Sequence, residues 1–475
     1  MKPKRIYHSH KKHSIIENII AALIYSIVFD FIYVNYICAY FAYDGIHYSP
    51  IGGTEHFFLI VQAVIPILFF RGYRNVASAL SFFIYLLVYV PFIEVVHIAG
   101  FSDTITAAYG ALFTIIMCAF FYTDKIYLMK FVFLPAKGRK KAKFSPRLFE
   151  IIVIILLLGA LALNIHNIRF VNFFSDAESM YDMRAGYQEG TSSLVHYLVA
   201  WLEHGFVPVL FVLYLASRQK IKAACAFAAF IVLYMISMQK ITLLIPFVMV
   251  GMYFLYSINR TFFYNHIHTV IIVLIVIASL AAYGSVDTLV GAGIAMILLY
   301  RTVCIEGAQL DRYLNFFETS GNPYTHYSHL NIVNKITNSY PYGSESIGQV
   351  VDGNGANSNA TFLLMDGVAA DGILGCIIVA VVFIVVKSIM NSIGLKYNFS
   401  YVAISLLFVA LSLANTSLFT SLFSFGMLVI YLIYALFDLK PLTKKYDKCN
   451  WTRLHRPSYG LDDGISRSRS SRNRL

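Results

Sequence analysis

The chain has few charged residues for its size of 475: Asp, Glu, Lys and Arg together make up only 13% of it. A soluble protein carries about 25%. Hydrophobic residues instead account for 58%, with 34 tyrosines and 39 phenylalanines among the aromatic ones. This composition excludes an ordinary soluble globular protein and indicates an integral membrane protein.

Cysteine is also scarce, and the few cysteines have no recognisable spacing. They stand singly, mostly inside apolar segments, at Cys38, Cys118, Cys225, Cys304, Cys376 and Cys449. No Cys-x-x-Cys pair or other metal-binding or disulfide pattern is present. We therefore predict no metal site and assign the cysteines no role.

Apolar runs long enough to cross a bilayer recur along nearly the whole sequence. They lie at about 15–43, 56–70, 76–98, 105–122, 148–166, 194–216, 223–238, 241–257, 269–284, 360–386, 399–414 and 419–437. The sequence thus predicts an all-α, polytopic integral membrane protein with about 12 transmembrane helices in a single domain, 1–445. Residues 446–475, which end in SRSRSSRNRL, are predicted to form a disordered basic cytoplasmic tail.

The net charge of +12 arises mainly from loops on one side of the predicted membrane domain. With the N-terminus in the cytoplasm, 31 of the 37 Lys and Arg residues fall on the cytoplasmic side, as the positive-inside rule requires. Both termini are then cytoplasmic, and the basic residues indicate topology rather than nucleic-acid binding. Two long loops, about 167–193 and 285–359, lie on the outer side, and an apolar stretch around 288–303 is predicted to be re-entrant or interfacial.

Six cations remain on the outer side, where the topology rule disfavours them. They are Arg169, Arg184, Lys240, Arg301, Arg312 and Lys335. Ordinary pairing with outer acids is one explanation. Phosphate binding is the other, because a guanidinium group grips phosphate oxygens with two parallel hydrogen bonds.

Aromatic and amide side chains accompany these cations in both long loops. The residues are Tyr181 and Tyr187 around Arg184, Tyr324 and Tyr327 near the middle of the second loop, and Asn357 and Asn359 at its end. Aromatic rings stack on sugar faces and amides hydrogen-bond to hydroxyls, so these are candidate sugar-binding residues. Alternatively, the tyrosines belong to the aromatic belt at the membrane surface.

Two histidines, His326 and His329, lie in the second loop, and the acids Asp366 and Asp371 follow at the start of the next span. Imidazole titrates near neutrality and is the commonest general base in enzymes. His326, His329 and Asp366 are therefore the candidate catalytic residues, although a loop histidine among tyrosines can also be a hydrogen-bonding surface residue. Asp30 and Glu94 stand alone inside two spans, where a hydrogen-bonded structural role is the simpler interpretation than a proton relay.

Several of these features together resemble the O-antigen or oligosaccharide repeat-unit polymerases (Wzy type) of bacterial envelopes. The resemblance lies in two long outer loops with arginines, in Arg301 leading to Tyr313-Leu314-Asn315-Phe316-Phe317, and in the asparagine-rich entry to a span followed by Asp366-Gly367 and the turn from Gly372 to Gly375. It covers the topology of nearly the whole chain, with local similarity at about 181–190 and 300–375.

This resemblance implies a GT-C-like, metal-independent membrane glycosyltransferase of lipopolysaccharide and polysaccharide biosynthesis in the bacterial inner membrane, with its two long loops in the periplasm. The growing glycan would pass from undecaprenyl pyrophosphate to the non-reducing end of a new undecaprenyl-pyrophosphate-linked repeat unit. The pyrophosphate of the donor lipid would be held by Arg184, Arg301, Arg312 and Lys240. No cofactor is expected; the partners are the lipid-linked oligosaccharide, membrane lipids and a chain-length regulator protein.

Two other functions remain open on the sequence. An O-antigen ligase shares the pyrophosphate leaving group and the large outer loop. A flippase or transporter of lipid-linked sugars would instead favour internal symmetry, charges inside several spans and short outer loops.

Overall fold

The computed structural model describes residues 3–42, 46–133, 143–168, 190–353 and 359–442, with side chains from residue 15 onward except at 289, 290 and 302. These residues form helices joined by short connections, and no β-strand occurs among them. The all-α fold class predicted from the sequence is confirmed for this part of the chain.

The helices of the first part of the chain are α1 (Ile15–Tyr40), α2 (Gly53–Leu68), α3 (Val76–Ile98), α4 (Asp103–Thr123), α5 (Pro146–Leu163), α6 (Ser193–Ala216), α7 (Lys220–Ser237), α8 (Lys240–Ile258) and α9 (Arg260–Gly284). Those of the second part are α10 (Gly291–Arg301), α11 (Ile305–Thr319), α12 (Asn331–Thr337), α13 (Ile347–Asp352), α14 (Leu363–Lys396), α15 (Phe399–Ser405), α16 (Leu407–Leu413) and α17 (Leu418–Leu436).

Ten of the described helices are long and apolar enough to cross a membrane, or up to eleven if the bent pair α10–α11 counts as one span. The chain is therefore a multi-pass membrane protein. Of the twelve predicted spans, ten coincide with these described helices, and 56–70 and 399–414 do not. In the region 56–70, Pro66 lies in a tight 3-10 turn that ends α2 at Leu68. The region 399–414 is divided into α15 and α16 at Leu406, next to Ser405, whose hydroxyl donates to Val402 O (2.7 Å) and competes with the helix backbone.

Contacts between distant segments show which helix ends lie together at each of the two ends of the bundle. At one end of the bundle, Lys396 Nζ pairs with Asp438 Oδ1 (3.0 Å), and the fully buried Lys387 pairs with Asp124 Oδ1 (2.7 Å). At the other end, the beginning of α4 meets the end of α11, because Tyr109 OH donates to Glu318 Oε1 (2.5 Å). Helices α4 and α14 thus connect the two ends, and the second predicted long loop gathers at the end marked by Glu318.

Much of that predicted loop, 285–359, is helical. Helices α10 and α11 meet at a bend of 52°, either as a broken span or as a re-entrant pair. Both Asp311 and Glu318 on α11 contact residues at the same end of the bundle, since Asp311 Oδ2 lies 3.5 Å from His47 Nδ1 in the connection after α1.

Candidate functional site

The candidate site forms where helix α14 is broken near its beginning. The break falls at Asp371 (φ −156°, ψ 34°) and Gly372 (φ 57°, ψ −129°), so the carbonyl groups before it lose their partners within the helix. Two backbone amides of the loop before α14 replace the missing helical donors. Thr325 N donates to Ala369 O and His326 N to Ala370 O, both at 2.9 Å. The break in α14 is therefore what docks the histidine-bearing loop onto the bundle.

Glycine is required at the break for two separate reasons. Its positive φ belongs to a region that side chains rarely adopt. In addition, a Cβ at Gly372 would lie 2.9 Å from both Glu318 Oε1 and Tyr324 OH. The close approach of α11, the loop and α14 thus depends on the missing side chain.

We expect Gly372→Ala to destabilise the docked loop by about 1–3 kcal/mol from backbone strain, with a further penalty from the clash. Limited proteolysis of the purified protein, read at residues 320–330, measures the undocking. Gly343→Ala is the matched control, because Gly343 also has a positive φ (66°) but nothing lies within 4 Å of its would-be Cβ. Equal cleavage of the two variants would contradict the role given to the contact with Glu318 and Tyr324.

His329 lies in a buried hydrogen-bond network that occupies both of its ring nitrogens. Its Nε2 is 3.1 Å from Asp366 Oδ1, and its Nδ1 is 2.8 Å from Thr325 Oγ1. The side chain is only 8% exposed and that of Asp366 is fully buried. Asp366 also accepts hydrogen bonds from Ser417 Oγ (2.8 Å) and Leu418 N (2.7 Å). Neither side chain offers a free atom to a substrate, so this network positions the loop.

His326 has the opposite environment. Its Nδ1 contacts Asp371 Oδ1, while no described residue hydrogen-bonds to its Nε2, and its side chain is 72% exposed. If the carboxylate holds the proton on Nδ1, the exposed Nε2 carries the lone pair and can accept a proton. This is the arrangement of a histidine general base with an orienting carboxylate.

The backbone at His326 is strained. His326 and the next residue, Tyr327, have φ of 46° and 61°, in the left-handed region that non-glycine residues seldom occupy. Each such residue costs of order 1–3 kcal/mol and persists only where its surroundings hold it. The docking bonds to α14 provide that support.

The two candidate sugar-binding tyrosines of this loop are neutral hydrogen-bonding groups. Tyr324 OH donates to Glu318 Oε1 (2.7 Å), and Tyr327 OH lies 3.4 Å from Gly375 O. Burial, with the nearby charges of Asp371 and Asp366, raises the pKa of Tyr327 to about 12. Burial and the hydrogen bond to Glu318 also raise the pKa of Tyr324. Neither phenol therefore competes with His326 as a base near neutral pH.

The predicted pyrophosphate-binding cations that the structure describes lie on three different helices, α8, α10 and α11. Arg301 is exposed at the end of α10. Arg312 Nη1 lies 3.7 Å from Asp352 Oδ1, so part of its charge is balanced within the protein. Lys240 is half-buried at the start of α8.

The remaining predicted residues are only partly described. Asn359 is exposed at the entry to α14. Arg184, Tyr181, Tyr187 and Asn357 lie outside the described residues. Among the residues that the structure does describe, no three His, Cys, Asp or Glu side chains are grouped so that they could hold a metal ion.

Sequence reasoning missed three members of the site: Ser417, Glu318 and Tyr109. Ser417 is 51 residues from Asp366, and Tyr109 is 209 residues from Glu318. No local motif marks them, because each becomes important only through a contact with a remote segment. Asp371 was visible as an acid near the histidines, but its pairing with His326 rather than His329 depends on the break in α14.

The fold and the site together define a multi-pass α-helical membrane protein with a histidine–carboxylate pair exposed at one end of its helix bundle. Comparison with known proteins gave no match: no protein-family model, no curated protein and no solved structure matches this chain.

Proposed function

We propose that the protein polymerises lipid-linked oligosaccharide repeat units on the periplasmic face of the bacterial inner membrane. In this proposal both termini are cytoplasmic, and the end of the bundle that carries His326 is periplasmic. The growing glycan leaves undecaprenyl pyrophosphate and joins the non-reducing end of a new undecaprenyl-pyrophosphate-linked repeat unit. Membrane lipids surround the site, and a chain-length regulator is a further partner.

The observation that carries the proposal is the pair of His326 and Asp371. An exposed Nε2 beside an orienting carboxylate suits the removal of a proton from a sugar hydroxyl. A glycan transferase gains directly from such a pair, whereas the histidine and carboxylate relays of transporters lie within the membrane spans. The resemblance of the chain to repeat-unit polymerases supports the same class of reaction.

The proposed reaction exchanges one bond at the anomeric carbon of the donor glycan. The acceptor hydroxyl oxygen bonds to that carbon, and the bond from the carbon to the pyrophosphate oxygen breaks with its electron pair left on the pyrophosphate. The hydroxyl proton passes to His326 Nε2, while Asp371 stabilises the resulting imidazolium. The proton then leaves to water or to the released pyrophosphate, which returns His326 to its starting form.

Cations would stabilise the charge that develops on the leaving pyrophosphate. Arg301 is proposed for this role, because it is exposed at the bend between α10 and α11. Arg312, Lys240 and Arg184 are proposed as further pyrophosphate contacts. Tyr324, Tyr327 and Asn359, with Tyr181, Tyr187 and Asn357, are proposed to bind the sugars.

The network of His329 and Asp366 has a different role in this proposal from the catalytic one suggested by sequence. Both of its side chains are buried and fully engaged. They hold the turn that presents His326, and so they are positioning residues.

Deletion of the gene in its source bacterium distinguishes the three functions. We expect surface glycans that stop at a single repeat unit, with long chains restored by the wild-type gene. Loss of all glycan from the lipid core would indicate a ligase instead. Accumulation of lipid-linked repeats on the cytoplasmic side would indicate a transporter, and either of these results would overturn the proposal.

A further inference from the structure

The carboxyl group of Glu94 lies inside the helix bundle with one oxygen unused. Glu94 is on α3 and is fully buried. Its Oε1 accepts a hydrogen bond from Ser26 Oγ on α1 (2.5 Å), whereas its buried Oε2 has no hydrogen-bond partner among the described residues. Buried carboxylates are normally paired or fully hydrogen-bonded, so this oxygen requires an explanation.

A second carboxyl group connects this position with the surface. Asp30 lies one helical turn after Ser26 on the same face of α1, and the charges of Asp30 and Glu94 are near enough to interact. Asp30 Oδ1 is also buried without a hydrogen-bond partner that the structure describes. Its Oδ2 lies 3.9 Å from Nδ1 of His56 on α2, whose side chain is 35% exposed.

The other titratable groups near Glu94 do not neutralise it. They come from α1, from α3 itself and from the connection between α10 and α11, and they are Tyr25, Tyr85 and Cys304. Both tyrosine hydroxyls donate elsewhere: Tyr25 OH to Leu86 O (2.8 Å) and Tyr85 OH to Ala63 O (2.9 Å). No Lys or Arg among the described side chains forms an ion pair with Glu94.

Glu94 also lies where α3 and α11 approach each other closely. A Cβ at Gly307 of α11 would be 2.9 Å from the backbone O of Pro91 and 2.6 Å from Val95 Cγ2, on either side of Glu94 in α3. A change of charge on Glu94 therefore acts at the contact between α3 and the bent pair α10–α11.

We propose that Glu94, with Ser26 and Asp30, forms a proton-binding site inside the helix bundle that exchanges its proton with the surface through Asp30 and His56. A proton is the ligand that fits, because it neutralises a carboxyl group without needing a coordination shell. A hard metal cation gathers several oxygen ligands, and among the described residues no three His, Cys, Asp or Glu side chains are grouped so that they could hold one. The proposal does not depend on the glycan transferase function.

Infrared difference spectroscopy of the purified full-length protein tests the site directly. Spectra recorded between acidic and alkaline pH should contain a carbonyl band from a protonated carboxylic acid in apolar surroundings. We expect Glu94→Gln to remove the Glu94 component of this band, to which the buried Glu203 and Glu306 can also contribute, and Asp30→Asn to shift the pH at which that component titrates. Glu345→Gln is the control, because Glu345 is exposed in a loop, and it should leave the band unchanged.

Three results would overturn the proposal. The first is a wild-type spectrum without a pH-dependent band of this kind, and the second is a band whose intensity in Glu94→Gln equals that of the wild type. The third is a spectrum that changes when Na⁺ is replaced by choline at constant pH, since that would indicate a metal cation. If Glu94→Gln does not fold, Ser26→Ala serves instead: it keeps the carboxyl group, and removing its hydrogen bond must shift the band.

Discussion

Replacing His326 by asparagine should reduce glycan transfer by about 10²–10⁴-fold, the usual contribution of a positioned general base. Asparagine tolerates the left-handed backbone conformation that His326 adopts (φ 46°). It removes the imidazole without adding backbone strain, so the loop should stay docked on α14. The measurement is the rate of transfer between lipid-linked repeat units in purified membranes, at equal amounts of protein.

Two companion variants separate chemistry from structure in this experiment. Asp371→Asn should also slow transfer strongly, because an amide can hold the imidazole in the wrong tautomer. It should alter the pH profile of the rate, which a purely structural defect would not do. Glu345→Gln is the control, since Glu345 is exposed in the same loop and has no role in the proposed site, and little change is expected. Wild-type rates in His326→Asn would exclude His326 as the base.

The sequence predicted the fold class well because membrane helices leave a strong local signal. Each span needs about 20 apolar residues, and ten of the predicted segments coincide with long apolar helices. The two that fall short, 56–70 and 399–414, failed for local reasons at Pro66 and Leu406. Mean hydropathy over a window includes the residues on both sides of such a break, so it does not locate the break.

The site was predictable only as a group of residue types. His326, His329, Asp366 and Asp371 were all singled out from the sequence, but their pairing was not. His329 is buried and His326 is exposed because His326 and Tyr327 have left-handed backbone conformations and because α14 is broken at Gly372. Those backbone conformations are maintained by contacts with remote segments, for example between Ser417 and Asp366. A local pattern cannot encode a contact of that kind.

Replacing Asp366 by asparagine should destabilise the protein by about 1–3 kcal/mol, the penalty for leaving a buried hydrogen-bonding group unsatisfied. The two carboxylate oxygens accept hydrogen bonds from Ser417 Oγ and Leu418 N and contact His329 Nε2. The amide of asparagine has one acceptor oxygen and one donor group, so one of the two acceptor positions of the carboxylate becomes a donor that its buried neighbours must accommodate. Thermal unfolding of the purified protein measures the loss.

The size of this effect distinguishes a buried network from an ordinary surface acid. Asp287→Asn is the matched control, because Asp287 is exposed and its replacement should change stability by less than about 0.5 kcal/mol. Adding Ser417→Ala to Asp366→Asn should recover part of the loss, since it removes one of the donors that compete for the amide. If Asp366→Asn unfolds like Asp287→Asn, the network does not hold the loop. If instead the stability falls and the pH profile of the remaining transfer is unchanged, Asp366 acts by positioning His326 and takes no part in the proton transfer.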